Sequence, residues 1–130
     1  MKILIVEDSD VIVETVSLCL QVVWPDIEIT TKAEGSQGVQ QVKNADYDLV
    51  ILDVNLPDID GFKVLEQIRV FSKIPVVMLT VRIGEADKSR GFALGSNGYI
   101  GKPYKSKALI EEIKKVLNAS KAEKPALSSK

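Results

Sequence analysis

The chain of 130 residues has room for one domain with its own core, and its 45% apolar and 27% charged content argues against disorder. It contains no histidine, which removes the usual general base and the usual zinc ligand, and its net charge of −1 gives no polycationic character. One cysteine, Cys19, cannot close an internal disulfide, and no apolar run reaches the length of a signal core or membrane span, so a soluble cytoplasmic protein without membrane contact is expected.

Along the chain, short apolar runs alternate with helical stripes. Residues 2–6 (Lys-Ile-Leu-Ile-Val) have strand length. Ile12, Val16, Cys19 and Val23 then share one helical face, and Trp24-Pro25-Asp26 stops that helix. Ile27 to Thr31 alternates and is β-branched, as a strand should be. The stretch 34–44 is a weaker helix because Gly35 and Gly38 lie inside it. Asp48-Leu-Val-Ile-Leu is a third strand, and Phe62, Leu65 and Ile68 mark a third helix. Pro75-Val-Val-Met-Leu-Thr80 is a fourth strand, followed by a weakly patterned helix over 84–94 and a short strand, Gly98-Tyr-Ile100. Leu109, Ile110, Ile113, Val116 and Leu117 give the clearest amphipathic helix, with Ser106 as its expected cap. From about residue 118 the composition turns polar, so the domain is expected to occupy 1–118 and a tail or linker 119–130.

Five β-α units in succession imply an α/β fold: a doubly wound parallel sheet of five strands, buried on both faces under helices on both sides. Ligand sites of such sheets lie beyond the carboxyl ends of the strands. Glu7 and Asp8 follow the first strand, Asp53 the third, Thr80 ends the fourth and Lys102 follows the fifth. Charge is unevenly divided along the chain, though halves that interleave in space give this little weight beyond the residues just named. Residues 1–60 carry twelve acids and three bases, whereas residues 61–130 carry six acids and fourteen bases.

Read singly, Glu7 and Asp8 suit a helix cap, Asp53 a turn, Thr80 a strand and Lys102 a surface. Read together, they have a chemistry. Clustered carboxylates repel unless a cation joins them, and an all-oxygen site suits a hard ion such as magnesium. A carboxylate such as Asp53 can act as a nucleophile toward phosphorus, a reaction that needs charge neutralisation and alignment more than a base. A lysine can pair with phosphate, and a threonine hydroxyl can donate to it.

These pieces, Ile-Leu-Ile-Val-Glu7-Asp8, then Asp48 to Asp53 with Val-Asn-Leu-Pro57-Asp-Ile-Asp-Gly61, Pro75 to Thr80, and Gly98-Tyr99-Ile-Gly-Lys102-Pro103, resemble the response-regulator receiver domain of two-component signalling over residues 2 to 118. The resemblance implies a flavodoxin-like (β/α)5 fold with strand order 2-1-3-4-5. It implies that Asp53 is the phosphoacceptor, served by a sensor histidine kinase. Magnesium would be bound by the side chains of Asp8 and Asp53, by the Asn55 backbone carbonyl, and by Glu7 through water. Lys102 would pair with the phosphoryl group, Thr80 would move toward it, and Tyr99 would turn inward behind Thr80. A cis peptide before Pro103 is usual in the family.

The switch region is expected over 80–105, where five of the eight glycines fall at 84, 91, 95, 98 and 101. It would control a C-terminal or separate output domain, a DNA-binding one included, or a homodimer through 84–118. The domain itself has no basic cluster interleaved with aromatics, so direct nucleic-acid binding is not expected. Three positions depart from the family pattern. Val81 stands where a small residue is usual and would narrow access to Asp53, Ser96-Asn97-Gly98 differs from the common segment, and Tyr104 replaces a phenylalanine.

Three other readings compete. A haloacid-dehalogenase-type phosphatase would need an aspartate where Asn55 stands. A flavin carrier would need a phosphate-cradling loop where Glu7 and Asp8 stand. A degenerate receiver would serve only for dimerisation or docking.

Overall fold

A computed structural model of the protein describes residues 1–128, with side-chain surroundings for residues 1–120. The alternating pattern becomes β1 (Lys2–Val6), α1 (Asp10–Val23), β2 (Glu28–Lys32), α2 (Gly35–Asn44), β3 (Leu49–Leu52), α3 (Gly61–Phe71), β4 (Val76–Thr80), α4 (Glu85–Ala93), β5 (Gly98–Gly101) and α5 (Ser106–Ser128). All neighbouring strands pair in parallel, in the order β2-β1-β3-β4-β5, as expected.

Two cores follow from the period-two alternation of strand side chains. Leu4, Val6, Val50, Leu52, Val76 and Met78 point to one face, where Val39 and Val42 of α2 and Phe62, Leu65 and Ile68 of α3 meet them. Ile3, Ile5, Leu49, Ile51, Val77 and Leu79 point to the other, under Val16 and Leu20 of α1 and Leu109, Ile113 and Val116 of α5. A fully buried side chain of this type contributes about 1.5–3 kcal/mol through the hydrophobic effect, so the three central strands are fixed by burial on both faces.

Four features refine the sequence-based expectation. Burial on both faces holds for β1, β3 and β4 but not for β2 and β5, which are sheet edges and partly exposed. Helix α2 forms despite its two glycines, both of which are buried on its packed side. Ser106 does not cap α5 from outside; it is the first helical residue, and its hydroxyl meets the Cys19 thiol at 3.2 Å. Helix α5 runs past residue 118, so the domain boundary expected there is not a helix end, while residues 129 and 130 lie outside the described part. Among the described residues, no helix is long and apolar enough to cross a membrane.

The loop between α4 and β5 is clamped from below. Arg69 of α3 donates from Nε and Nη2 to the Gly95 carbonyl (3.1 and 2.8 Å) and from Nη2 to Asn97 Oδ1 (3.0 Å). Asn97 Oδ1 also accepts from the Val76 amide at 2.9 Å. The carboxyl end of α4 is therefore tied to α3 and to the start of β4. Because each hydrogen bond from a charged group contributes about 1.5–3 kcal/mol, Arg69→Ala is expected to lower the urea-denaturation stability by at least one such bond. Amide exchange should accelerate at Gly95 to Asn97, well away from the strand carboxyl ends.

Candidate functional site

The site is assembled by where the strands stop. β1 ends at Val6, and Glu7 continues the ladder by donating its amide to the Lys32 carbonyl at 2.9 Å. β3 ends at Leu52, and the Asp53 amide donates to the Val6 carbonyl at 3.0 Å. These adjacent, parallel strands thus deliver Glu7, Asp8 and Asp53 to one place. One carboxylate oxygen from each lies within 4.8 Å of the others, with Glu7 and Asp53 buried and Asp8 exposed. None of these acids caps α1. Ser9 does so, its Oγ accepting from the Ile12 amide at 3.4 Å.

Lys102 faces the acids from the end of β5. Its Nζ donates to Glu7 Oε1 at 2.5 Å and to Asp53 Oδ2 at 3.1 Å. The Lys102–Pro103 peptide is cis, as expected. Burial pushes the Glu7 carboxyl above its ordinary range, against the opposing pull of the Lys102 bond. For Lys102, burial acts downward but is outweighed by the bond to Glu7 and the charge of Asp53, so its ammonium is held more firmly than usual. Two buried carboxylates against one ammonium leave the pocket short of positive charge. With Asp8 at its mouth and oxygen as the only donor type, the residues fit a hard divalent cation.

The Asp53 carboxylate is also held from its own loop, Oδ1 accepting from the Asn55 amide at 3.2 Å. The chain then turns into α3, where the Gly61 amide donates to the Val54 carbonyl at 2.7 Å. A Cβ at Gly61 would stand 2.1 Å from the Asp53 carbonyl oxygen, so only glycine lets this turn close beneath the acid.

Thr80 is fully buried at the end of β4. Its Oγ accepts from the Arg82 amide at 3.2 Å. The Arg82 carbonyl in turn accepts from the Tyr99 hydroxyl at 2.5 Å, and its guanidinium binds Asp87 at 3.0 Å. One residue, Arg82, therefore joins Thr80, Tyr99 and α4. Tyr99 is partly exposed, its ring tilted against Phe92 at 6.3 Å and packed against the core cluster under α2 and α3. Val81, the residue after Thr80, is 57% exposed.

Sequence reasoning named Glu7, Asp8, Asp53, Asn55, Thr80, Tyr99 and Lys102. The structure converges the three acids and Lys102 directly, and places Asn55 in the adjoining loop and Thr80 and Tyr99 around Arg82. Two participants were not foreseen. Arg82 takes part through its backbone, and nothing in sequence shows that a main chain will bridge two other residues. Asp58 was not singled out, yet it binds Gly35 and Ser36 at the start of α2. Its Pro-Asp setting signals a turn but not a partner 23 residues upstream.

The site agrees with what comparison with known proteins finds. The chain matches the response regulator receiver domain over residues 3–114. The chain belongs to that family. Among relatives of this receiver domain, the cell cycle response regulator CtrA of Brucella ovis is 34% identical over 122 residues, which cover 93% of this chain and 52% of the relative. The receiver thus spans about half the length of the curated relatives it matches. A CheY-like receiver domain protein from Methanospirillum hungatei superposes with a TM-score of 0.85 at 26% identity, covering 94% of this chain and 97% of that one. The chemotaxis response regulator CheY4 of Vibrio cholerae superposes with a TM-score of 0.80 at 32% identity, covering 88% and 97%. Membership removes the phosphatase and flavin-carrier readings, and the assembled acid, threonine and lysine set disfavours a degenerate receiver.

The receiver's Asp58 offers a test of how its rim is held. Bonds to Ser36 and Gly35 hold the Asp58 carboxyl well below the usual aspartate range. Its folded pKa thus lies below its unfolded one, so its stabilisation is present above about pH 4 and fades as pH falls further. Asp58→Ala is expected to be less stable than the native chain by about 0.5–2 kcal/mol at neutral pH, the usual loss for a helix cap. That gap should narrow in urea melts run at successively lower pH below the unfolded value.

Proposed function

We propose that this receiver is a phosphorylation-controlled switch in which Asp53 accepts a phosphoryl group from the phosphohistidine of a sensor histidine kinase. The observation that supports it most is the convergence of Glu7, Asp8 and Asp53 opposite Lys102 at the ends of adjacent strands. An Asp53 carboxylate oxygen attacks phosphorus; the new O–P bond forms as the N–P bond to the donor breaks, and its electron pair returns to the imidazole. Asp8 and Asp53 side chains, the Asn55 carbonyl and, through water, Glu7 are the groups proposed to hold magnesium, which supplies positive charge to the phosphoryl oxygens.

Lys102 already lies on Asp53, so exchanging that contact for a phosphoryl oxygen requires only a small movement of its ammonium. Phosphorylation adds roughly −1.5 to −2 charge and three acceptor oxygens, partners for Lys102 and Thr80 that only the modified form offers. Turning the Thr80 hydroxyl toward the phosphoryl group weakens its hold on the Arg82 amide. Movement of Arg82 then withdraws the carbonyl that holds the Tyr99 hydroxyl, which allows the ring to turn inward. Because Arg69 anchors the loop after α4, the larger part of the change within 80–105 falls on residues 81–93 and Tyr99. Val81, Ile83 and Phe92 are exposed apolar residues on this span and suit contact with an output domain, attached or separate, or with a second copy through 84–118.

Incubation with magnesium and a small acyl phosphate is expected to give one hydroxylamine-labile phosphoryl adduct, mapped to Asp53 by mass spectrometry. The adduct should be absent in Asp53→Asn and after chelation of the metal. Val81→Ala should speed its formation by opening access. Adduct formation with no change in amide exchange over 81–93 would count against the switch, while no adduct at all would count against the acceptor.

A further inference from the structure

The loop 55–60 carries the Asn55 carbonyl that the proposed metal site uses. Most of the loop's hydrogen bonds are local: the Asn55 amide to Asp53 Oδ1, the Gly61 amide to the Val54 carbonyl, and the Lys63 amide to Asp60 Oδ1 at 2.9 Å. Asp58 is different. Its Oδ1 accepts from the Gly35 amide at 2.7 Å, and its Oδ2 accepts from the Ser36 amide at 3.0 Å and from Ser36 Oγ at 2.6 Å.

These bonds reach another element. The residue in the N-cap position of α2, Glu34, makes no side-chain capping bond, so Asp58 performs that task across space. Both carboxylate oxygens are used, which fixes the carboxylate plane as well as its position. A second, independent contact presses the same two elements together. A Cβ at Gly35 would lie 2.6 Å from Val64 Cγ2 and 2.8 Å from Ile59 Cγ1, so the residue after Asp58 packs directly on the first residue of α2. Hydrogen bonding and packing thus brace the middle of the loop against a helix that itself rests on the core beside β1.

We propose that Asp58 is a positioning residue for the divalent-cation site: through the first turn of α2 it fixes the 55–60 loop, and with it the Asn55 carbonyl relative to Asp53. The proposal rests on the reading of this site as a metal centre. Asp58 does not touch the cation. It restricts the freedom of one of the groups that would bind it, so that less ordering remains to be done on binding.

The test measures Mn2+ binding to the native chain and to variants from the electron paramagnetic resonance signal of free Mn2+, with Mg2+ as competitor. Circular dichroism melts on the same samples report stability. Asp58→Ala is expected to weaken cation binding about tenfold, the lower end of what loss of an outer positioning partner does to a metal site. Asp58→Asn keeps an acceptor but loses the charge, and Ser36→Ala keeps the charge but loses one bond. Both are expected to bind more tightly than Asp58→Ala and to remain folded if that variant does not. Asp58→Asn as weak as Asp58→Ala, with Ser36→Ala at native affinity, would show that charge alone matters and overturn the proposal. Native affinity in all three, with only the melting temperature lowered, would reduce Asp58 to a helix cap and overturn it as well. A native chain that does not bind Mn2+, or binding unaffected by Asp53→Asn, would instead overturn the metal reading on which this one stands.

Discussion

The structure depends on one electrostatic constraint, the burial of the Glu7 and Asp53 carboxylates side by side with a single ammonium, Lys102, between them. Burial holds the Glu7 carboxyl above its ordinary range, and the nearby Asp53 charge adds to that rise in lesser degree. The sheet enforces the arrangement. β1 and β3 are adjacent, parallel and buried on both faces, so neither strand can slip by one residue without turning core side chains outward. The acids following them have no other place to go. A fold that concentrates negative charge in this way fits a hard divalent cation.

That charge is connected to the surface by few links. Thr80 Oγ, the Arg82 backbone and the Tyr99 hydroxyl form a chain of two hydrogen bonds from the end of β4 to a ring that lies against Gly91 of α4. Helix α4 is bound firmly at its far end by Arg69 and lightly at its near end by Arg82. The Arg82–Asp87 pair is partly exposed and so contributes little stability. The near end of α4 is therefore the more lightly held of the two. On the opposite rim Asp58 does the reverse, tying the loop after Asp53 to a helix that rests on the core. The loop after Asp53 is thus braced from outside the pocket.

Much of this was legible in sequence because the central strands are nearly pure apolar runs and the polar residues that interrupt them fall at their ends. The five β-α units, the order of the strands and the acid, threonine and lysine set all followed from that pattern and from the family resemblance it carries. The edges of the sheet were less legible. β2 and β5 are partly exposed, and an edge strand lacks a neighbour on one side to complete its burial. Helix α2 looked weak because Gly35 and Gly38 lower its intrinsic propensity, whereas in the fold close packing needs the absence of a side chain at Gly35. Ser106 had the composition of a cap, but the neighbouring Cys19 gave its hydroxyl another partner.

The sequence by itself determined the fold class and the chemistry at the strand ends, since alternating burial and carboxylate placement are local properties that composition and spacing record. Only the tertiary structure decided which backbone groups join those residues. That Arg82 bridges Thr80 to Tyr99, that Arg69 anchors the loop after α4, and that Asp58 caps a helix 23 residues earlier in the chain depend on contacts between distant segments. Hydrogen bonds of this kind use main-chain amides and carbonyls that every residue possesses, so no residue type announces them, and their geometry exists only once the sheet has brought the loops together.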